Sequence, residues 1–302
     1  MATMKKWINA ARPRTLPLAL SGIIMGCGLA WYMDAIQWDI SLLAIITATL
    51  IQIFSNFAND YGDNQHGTDN NSRLGPVRAM QSGEISKKEM KTGMFIIGGL
   101  SFIFGTLLVY IGTWYHSKFA FLCFMSLGII SLLAAYFYTV GKRSYGYIGL
   151  GDLFVIVFFG LLPVTGVFYL NTNFFLYSVF LPAISIGFFS AGVLNLNNMR
   201  DIENDRNSGK ITISVRLGQQ KSLIYHIFLI LSGWVTVLIY VVKQHTSICQ
   251  WLFVLVLPFF INDLRKIRKI KNNIELDPFL KRLVLSTLAF TLLFCAGFII
   301  ST

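Results

Sequence analysis

Two short polar segments follow long apolar stretches and carry side chains suited to binding a metal ion and an anion. The first polar segment, residues 59–69, reads Asn-Asp-Tyr-Gly-Asp-Asn-Gln-His-Gly-Thr-Asp. The second polar segment, residues 197–206, reads Asn-Asn-Met-Arg-Asp-Ile-Glu-Asn-Asp-Arg. Carboxylates are costly beside a membrane and usually face a partner or a wet cavity. The paired segments therefore indicate one functional site built from both. Ordinary solvated helix caps are the alternative, but they rarely need so many Asn and Asp residues.

Helical spacing predicts which of these oxygen atoms point the same way. Asn59 and Asp63 are four residues apart, as are Asp201 and Asp205, and Asn198 lies one turn before Asp201. Residues four apart share a helix face, so each segment offers two or three oxygen ligands. Such ligands suit Mg²⁺, which commonly bridges carboxylates to substrate phosphates. The sequence lacks a Cys and His set with zinc spacing, so the pattern favours magnesium.

Basic residues flank both polar segments and would complete a diphosphate site. These cations are Arg73, Arg78, Lys142, Arg143, Arg200, Arg206, Lys210 and Arg216. For Lys142 and Arg143 the sequence leaves two interpretations open, contact with the substrate or anchoring at the membrane surface. Asp152 is likewise either a helix N-cap or a substrate contact.

The composition predicts an integral membrane protein. The chain has 302 residues, of which 55% are hydrophobic and only 13% are charged. Such a length holds roughly eight to ten membrane spans. Hydropathy predicts nine, in a single domain over residues 1–302. They cover residues 15–34, 40–60, 92–112, 119–138, 150–170, 176–198, 222–242, 247–262 and 282–301.

The basic residues are distributed unevenly between the two sides of the predicted bundle. One side carries 23 of the 25 Lys and Arg residues, and the other carries only Lys118 and Lys243. The positive-inside rule therefore places the N-terminus and both polar segments in the cytoplasm and the C-terminus outside. The net charge of +11 thus indicates a membrane surface and no nucleic-acid partner. The polar segments, four spans apart, are expected to face one another.

Four motifs resemble the UbiA superfamily of intramembrane aromatic prenyltransferases. They are residues 12–17, the first polar segment continued to residue 83, residues 138–143, and the second polar segment continued to residue 218. The resemblance is greatest to the branch that prenylates 1,4-dihydroxy-2-naphthoate in menaquinone (vitamin K2) biosynthesis. The general superfamily pattern has a third Asp where this chain has Gly67. The next acid, Asp69, lies six residues beyond Asp63, a spacing similar to that branch.

This resemblance implies an all-α integral membrane protein with nine transmembrane helices around a central cavity that opens laterally to lipid. It implies Mg²⁺ as cofactor, held by Asn59, Asp63, Asp201 and Asp205, with Asp69 either a ligand or a support of its loop. Candidate substrate contacts are Asn59, Asp60, Arg78, Tyr138, Lys142, Arg143, Asn198 and Lys210. Among all of these, Asp63, Asp205 and Lys142 are the candidate catalytic residues.

The implied reaction joins a polyprenyl diphosphate to 1,4-dihydroxy-2-naphthoate with loss of carbon dioxide, giving a demethylmenaquinol. The expected partners are these two substrates and membrane lipid, and the expected location is the bacterial cytoplasmic membrane. Two alternatives remain open. One is a related enzyme acting on another aromatic acceptor, such as hydroxybenzoate, homogentisate or haem. The other is a cation-coupled secondary transporter, although transport sites tend to lie nearer the bilayer midplane.

Overall fold

A computed structural model describes residues 4–70, 72–142 and 144–301. Within these ranges the chain forms helices and connecting turns, and nine helical stretches are long and apolar enough to cross a membrane. Helices predominate because a membrane-spanning backbone must satisfy its own hydrogen bonds. The predicted all-α fold with nine spans is therefore confirmed.

The helices are labelled in chain order. They are α1 (Met4–Ala11), α2 (Leu16–Tyr32), α3 (Trp38–Gln65), α4 (Lys87–Thr113), α5 (Lys118–Phe137), α6 (Gly151–Val155), α7 (Leu162–Thr172), α8 (Phe180–Arg200), α9 (Ile202–Asn207), α10 (Ile213–Lys243), α11 (Leu257–Ile267) and α12 (Asp277–Ile300). A π-helical turn over Ile156–Leu161 joins α6 and α7 into one span, and a 3-10 stretch over Ile248–Val256 leads into α11.

Several helices extend further into polar sequence than hydropathy predicts. Helix α3 continues to Gln65 instead of ending at residue 60, and α10 begins at Ile213 instead of residue 222. Thr212 caps α10 by accepting a hydrogen bond from the Val215 amide at 3.2 Å. At Gly218 the backbone leaves the helical conformation, with a φ of 74°, and α10 is kinked there. Only glycine readily adopts such a positive φ. Local capping and side-chain partners thus allow polar residues to remain helical.

The most buried part of the bundle contains a cluster of aromatic rings. Trp234 of α10 lies 5.4 Å, centroid to centroid, from Phe290 of α12, and Phe189 of α8 lies 5.2 Å from the same ring. Helix α2 packs against α7 and α12, whereas α3 packs against α4 and α5. Helices α2 and α3 also contact each other.

A glycine allows the end of α5 to approach α3 closely. A Cβ atom on Gly62 would collide with the side chain and backbone of Thr139. With glycine there, the Thr139 hydroxyl donates to the Ala58 carbonyl at 3.0 Å. The loop that follows Thr139 is thereby held beside the first polar segment.

Candidate active site

A cavity of about 520 Å³ extends through the bundle. On α3 its lining runs from Ala44 to Asp63, which at 1.5 Å per residue corresponds to about 28 Å along the helix. This length is close to the thickness of the hydrocarbon core of a bilayer. The lining is mainly apolar at the Ala44 end, with Leu108, Phe124 and Leu170, and becomes strongly polar near Asp63.

The polar end of the cavity is lined by both acids and bases. Its charged and hydrogen-bonding residues include Arg12, Arg14, Asn56, Asn59, Asp63, Arg73, Arg78, Tyr138, Asn197, Lys210, Asp277 and Lys281. The predicted site residues in this lining are Asn59, Asp63, Arg78, Tyr138 and Lys210. Asn59 and Asp63 lie one turn apart on α3 and both reach the cavity, as the helical spacing predicts.

Asp63 has a different partner for each carboxylate oxygen. Its Oδ1 accepts a hydrogen bond from the Tyr147 hydroxyl at 2.7 Å, and its Oδ2 pairs with Arg78. Arg78 also donates to Asp69 Oδ2 at 2.9 Å. Burial alone would lower the pKa of Arg78, but Asp63 and Asp69 outweigh burial and raise it. Arg78 is therefore a permanent cation that links the acids of the first polar segment.

Arg200 pairs with one acid of the second polar segment and one acid of α12. This fully buried side chain donates to Asp201 Oδ2 at 2.6 Å and to Asn197 Oδ1 at 2.8 Å, and it pairs with Asp277 of α12. Burial would raise the pKa of Asp201, but the hydrogen bond and charge of Arg200 lower it below its usual value. Arg200 thus ties the end of α8 to the start of α12.

Lys210 is the point at which the two polar segments meet. Its Nζ atom lies 3.9 Å from Asp63 Oδ1 and 3.9 Å from Asp205 Oδ1. Burial raises the pKa of Asp205 to about 6, and the charge of Lys210 offsets this only in part. One cation therefore lies between carboxylates contributed by both segments.

The loop after α3 makes further contacts between the two polar segments. Asn204 Nδ2 donates to the Thr68 carbonyl at 2.9 Å, and the Leu74 amide donates to Asp201 Oδ1 at 3.2 Å. Gly75 allows this loop to pass Arg73 and Arg200, since a Cβ there would collide with both guanidinium groups. The segments face one another through this loop.

Other predicted site residues lie outside the cavity lining. Five of them are buried, namely Asp60, Asp69, Asn198, Asp201 and Asp205. The residue before Asn198, Asn197, does line the cavity. Lys142 is exposed and also outside the lining. Arg143 lies outside the described residues. The metal and substrate roles of all these residues stay predictions.

Several residues of the polar end were not among the predicted site residues. Asn56 lies three positions before Asn59 on α3, so helical periodicity could have predicted that it lines the same cavity. Arg12 and Arg14 belong to the motif at residues 12–17. No local pattern marks Asp277 or Tyr147, because their contacts depend on how distant segments pack.

The donor atoms are of the class that a Mg²⁺ site needs. No three His, Cys, Asp or Glu side chains form a metal-binding group by themselves within the described part of the chain. However, the Asn59 amide and the Asp63 carboxylate line the cavity. The Lys210 ammonium group lies between Asp63 and Asp205, so a positive charge is already accommodated between these two carboxylates. Among the described residues, the buried Asp60 Oδ1 has no hydrogen-bond partner. These oxygen donors fit Mg²⁺ completed by substrate and water oxygens.

The placement of two lysines gives a test of which one contacts an anionic substrate. Lys210→Gln should raise the Michaelis constant for a diphosphate substrate by about tenfold or more, because a buried charge-assisted contact is lost. Lys142→Gln should have a much smaller effect, because Lys142 is exposed. Steady-state kinetics of the two variants measures the difference. A larger effect at Lys142 would contradict the assignment of Lys210.

The chain matches the UbiA prenyltransferase family over residues 19–287. It is 41% identical to a 1,4-dihydroxy-2-naphthoate octaprenyltransferase of Escherichia coli over 295 residues, which cover 98% of this chain and 95% of that protein. A protein of the same name from Haemophilus influenzae is 40% identical over 299 residues, covering 98% of this chain and 96% of that protein.

A solved structure has the same fold. It is described as a UbiA homolog from Archaeoglobus fulgidus bound to GPP and Mg²⁺. The two structures superimpose with a TM-score of 0.64, and their sequences are 16% identical. The superposition covers 96% of this chain and 99% of that one. The predicted fold class and the predicted enzyme class, a prenyltransferase, are confirmed. The family match and the identity to relatives over nearly the whole chain place this protein in the UbiA prenyltransferase family.

Proposed function

We propose that this protein transfers a polyprenyl group from polyprenyl diphosphate to 1,4-dihydroxy-2-naphthoate, with decarboxylation, in menaquinone biosynthesis. The whole chain serves as one polytopic catalytic domain. The acceptor assignment rests on relatives that carry this activity in their names and match almost the full chain. The structural observation that supports prenyl transfer is a long apolar cavity ending in acids and bases.

The shape and chemistry of the cavity suit an amphiphilic donor. An isoprenoid chain is apolar and would lie along the residues between Ala44 and the polar end. Its diphosphate would lie among Arg73, Arg78 and Lys210, which line the polar end. Charge-assisted hydrogen bonds from such groups are strong in a site of low dielectric constant. The donor is thereby oriented with its allylic carbon near the boundary between apolar and polar lining.

The cationic side chains stabilise departure of the leaving group. Breaking the allylic C–O bond develops negative charge on the diphosphate, so cations positioned there bind the transition state more tightly than the ground state. Asn59, Asp63 and Asp205, with Asp201 nearby, would hold Mg²⁺, which when bound neutralises charge on the diphosphate oxygens. The side chain of Lys210 then supplies a donor to the same anion.

The remaining lining protects and directs the reactive carbon. Tyr138, Tyr145, Phe154 and Phe158 line the cavity, and their ring faces stabilise an adjacent positive charge. Apolar surroundings exclude the water that would otherwise capture an allylic cation. The protein itself provides no covalent nucleophile in this scheme.

The acceptor ring supplies the electrons for the new bond. After the C–O bond to diphosphate has broken, the carboxyl-bearing carbon of the ring forms a C–C bond to the allylic cation. The C–C bond to the carboxylate then breaks, carbon dioxide departs, and the bonding electrons restore the aromatic ring. The products are a demethylmenaquinol, pyrophosphate and carbon dioxide.

An acceptor panel tests this proposal. Purified protein in detergent or nanodiscs is given one prenyl diphosphate, Mg²⁺, and in turn 1,4-dihydroxy-2-naphthoate, 4-hydroxybenzoate or homogentisate. We expect a prenylated product only, or at least predominantly, with the naphthoate. Preferential prenylation of another acceptor would overturn the acceptor assignment, and prenylation of none would overturn the activity.

The orientation in the membrane is also proposed, with the polar end of the cavity and the N-terminus cytoplasmic and the C-terminus outside. The distribution of 23 of 25 basic residues to one side supports it. In a variant lacking the native cysteines, an impermeant thiol reagent added outside should label cysteines introduced at Lys118 and Lys243. It should not label cysteines at exposed positions such as Lys88. Labelling of position 88 from outside intact cells would contradict this orientation.

A further inference from the structure

Tyr147 lies outside the cavity lining but contacts the side chains that join the two polar segments. It belongs to a short 3-10 turn over Tyr145–Tyr147, in the loop between α5 and α6. Its hydroxyl lies 2.7 Å from Asp63 Oδ1 and 2.6 Å from Thr68 Oγ1. The side chain is therefore hydrogen-bonded twice within the first polar segment, although it is remote from that segment in sequence.

The direction of these two hydrogen bonds follows from the number of protons available. A tyrosine hydroxyl has one proton, and an ionised carboxylate only accepts. Tyr147 must therefore donate to Asp63, and Thr68 must donate to the Tyr147 oxygen. Burial, followed by the charge of Asp63, raises the pKa of Tyr147, which keeps the phenol protonated. The hydrogen bonds form a chain from Thr68 through Tyr147 to Asp63.

Tyr147 also contacts the segment that carries Lys210. The Lys210 Nζ atom lies 5.3 Å from the centroid of the Tyr147 ring, within the range of a cation–π contact. The Ile211 amide donates to the Tyr147 carbonyl at 3.0 Å. On the other side, the ring of His66 lies 4.5 Å from the Tyr147 ring, centroid to centroid. One residue thus fixes Asp63 and Lys210 relative to each other.

Asp63 needs this restraint because of Arg78. An arginine fork readily binds both oxygens of one carboxylate. Arg78 pairs with Asp63 Oδ2, while the Tyr147 hydroxyl holds Oδ1 on the side facing Lys210. Without that hydroxyl, Oδ1 is free to rotate toward the guanidinium group and away from the point between Asp63 and Asp205.

We propose that Tyr147 is a positioning residue, which orients the Asp63 carboxylate toward the point between the two polar segments where Lys210 lies and where a divalent cation would bind. Thr68 supports it by donating to its hydroxyl. The consequence for catalysis rests on the proposed function, whereas the consequence for cation binding does not. The two are therefore measured separately.

Tyr147→Phe tests the proposal, because it removes the hydroxyl and leaves the ring and backbone in place. Mn²⁺ binding is measured by electron paramagnetic resonance in the presence of inorganic pyrophosphate. We expect binding about tenfold weaker than in the wild type, the cost typical of a lost hydrogen bond to a charged group. In the prenyl transfer assay, turnover should fall and more Mg²⁺ should be needed, with the Michaelis constant for the naphthoate unchanged.

A double-mutant cycle with Thr68→Val distinguishes positioning from a general loss of structure. The Thr68 amide donates to the Asp63 carbonyl at 3.0 Å, a backbone contact that Thr68→Val leaves in place. Because the Thr68 hydroxyl reaches the Asp63 carboxylate through Tyr147, Thr68→Val should weaken Mn²⁺ binding alone but add nothing to Tyr147→Phe. Thr68→Ser keeps the donor and should restore binding. Tyr240→Phe, which removes a buried hydroxyl from the aromatic core, is the matched control and should bind Mn²⁺ normally.

Several outcomes would overturn the proposal. Wild-type Mn²⁺ binding in Tyr147→Phe would do so, and so would fully additive effects of the two substitutions. If Tyr147→Phe lowers thermal stability in detergent, the comparison of Thr68→Val with Thr68→Ser decides, and equal binding in those two variants would contradict positioning. If no acceptor is prenylated by the wild type but Mn²⁺ binding still depends on Tyr147, the proposed function fails and the positioning role stands.

Discussion

Replacing Asp63 with Asn is expected to lower the rate of prenyl transfer by about a hundredfold to a thousandfold, the range seen when a preorganised electrostatic contact is removed. Asp63 lines the cavity, and its two oxygens contact Tyr147 and Arg78 while Lys210 lies 3.9 Å away. In Asp63→Asn the negative charge is lost. The amide nitrogen is a hydrogen-bond donor, and it faces Tyr147 or Arg78, which are donors as well. Asp205→Asn should have an effect of similar size, since Asp205 contributes the facing carboxylate.

The same substitutions should leave the fold intact. Arg78 keeps a carboxylate partner in Asp69 when Asp63 is replaced, so no buried guanidinium group is left without an acid. Thermal stability in detergent and elution from a sizing column would check this. Asp39→Asn is the matched control, because Asp39 is exposed at the opposite end of α3. Activity near the wild-type level in Asp63→Asn would show that this carboxylate has no role in the reaction.

Removing divalent cations should abolish prenyl transfer completely and reversibly. The leaving diphosphate carries several negative charges. Arg78 and Lys210, which line the cavity, are already paired with acids that neutralise part of their positive charge. A divalent cation held by oxygens of both polar segments would supply the missing positive charge. Excess EDTA should stop the reaction, and Mg²⁺ added beyond the chelator should restore it.

The control for this experiment is EDTA saturated beforehand with Mg²⁺, which should not inhibit. Binding of the prenyl diphosphate, measured with an unreactive thio analogue, should weaken in parallel with the rate. Full activity in metal-free buffer with excess chelator would contradict the proposal that the two polar segments bind a metal together.

The sequence was sufficient to predict those features that depend on local pattern. Apolar runs long enough to span a bilayer predict the nine helices, and a spacing of four residues predicts that Asn59 and Asp63 share a face of α3. Both features appear in the structure. The general location of the site, where the two polar segments meet, follows from the same patterns.

The individual side-chain contacts between distant segments could not be predicted from such patterns. The spacing that aligns Asp201 with Asp205 gives no sign that Asp201 pairs with Arg200 while Asp205 lies beside Lys210. Tyr147 donates to Asp63 from 84 residues further along the chain, and no spacing pattern marks that contact. For Lys142 the sequence leaves substrate contact and membrane anchoring open, and the side chain is exposed in the structure. These outcomes depend on tertiary packing, which short-range periodicity does not encode.

The most direct test of the proposed reaction is its stoichiometry. Purified protein is supplied with a polyprenyl diphosphate, Mg²⁺, and 1,4-dihydroxy-2-naphthoate labelled with ¹⁴C in its carboxyl group. We expect released ¹⁴CO₂, pyrophosphate and prenylated quinol in equal amounts, with all three lost together in Asp63→Asn. A prenylated product that retains the label, or pyrophosphate released without a prenylated product, would contradict decarboxylating prenyl transfer at this site.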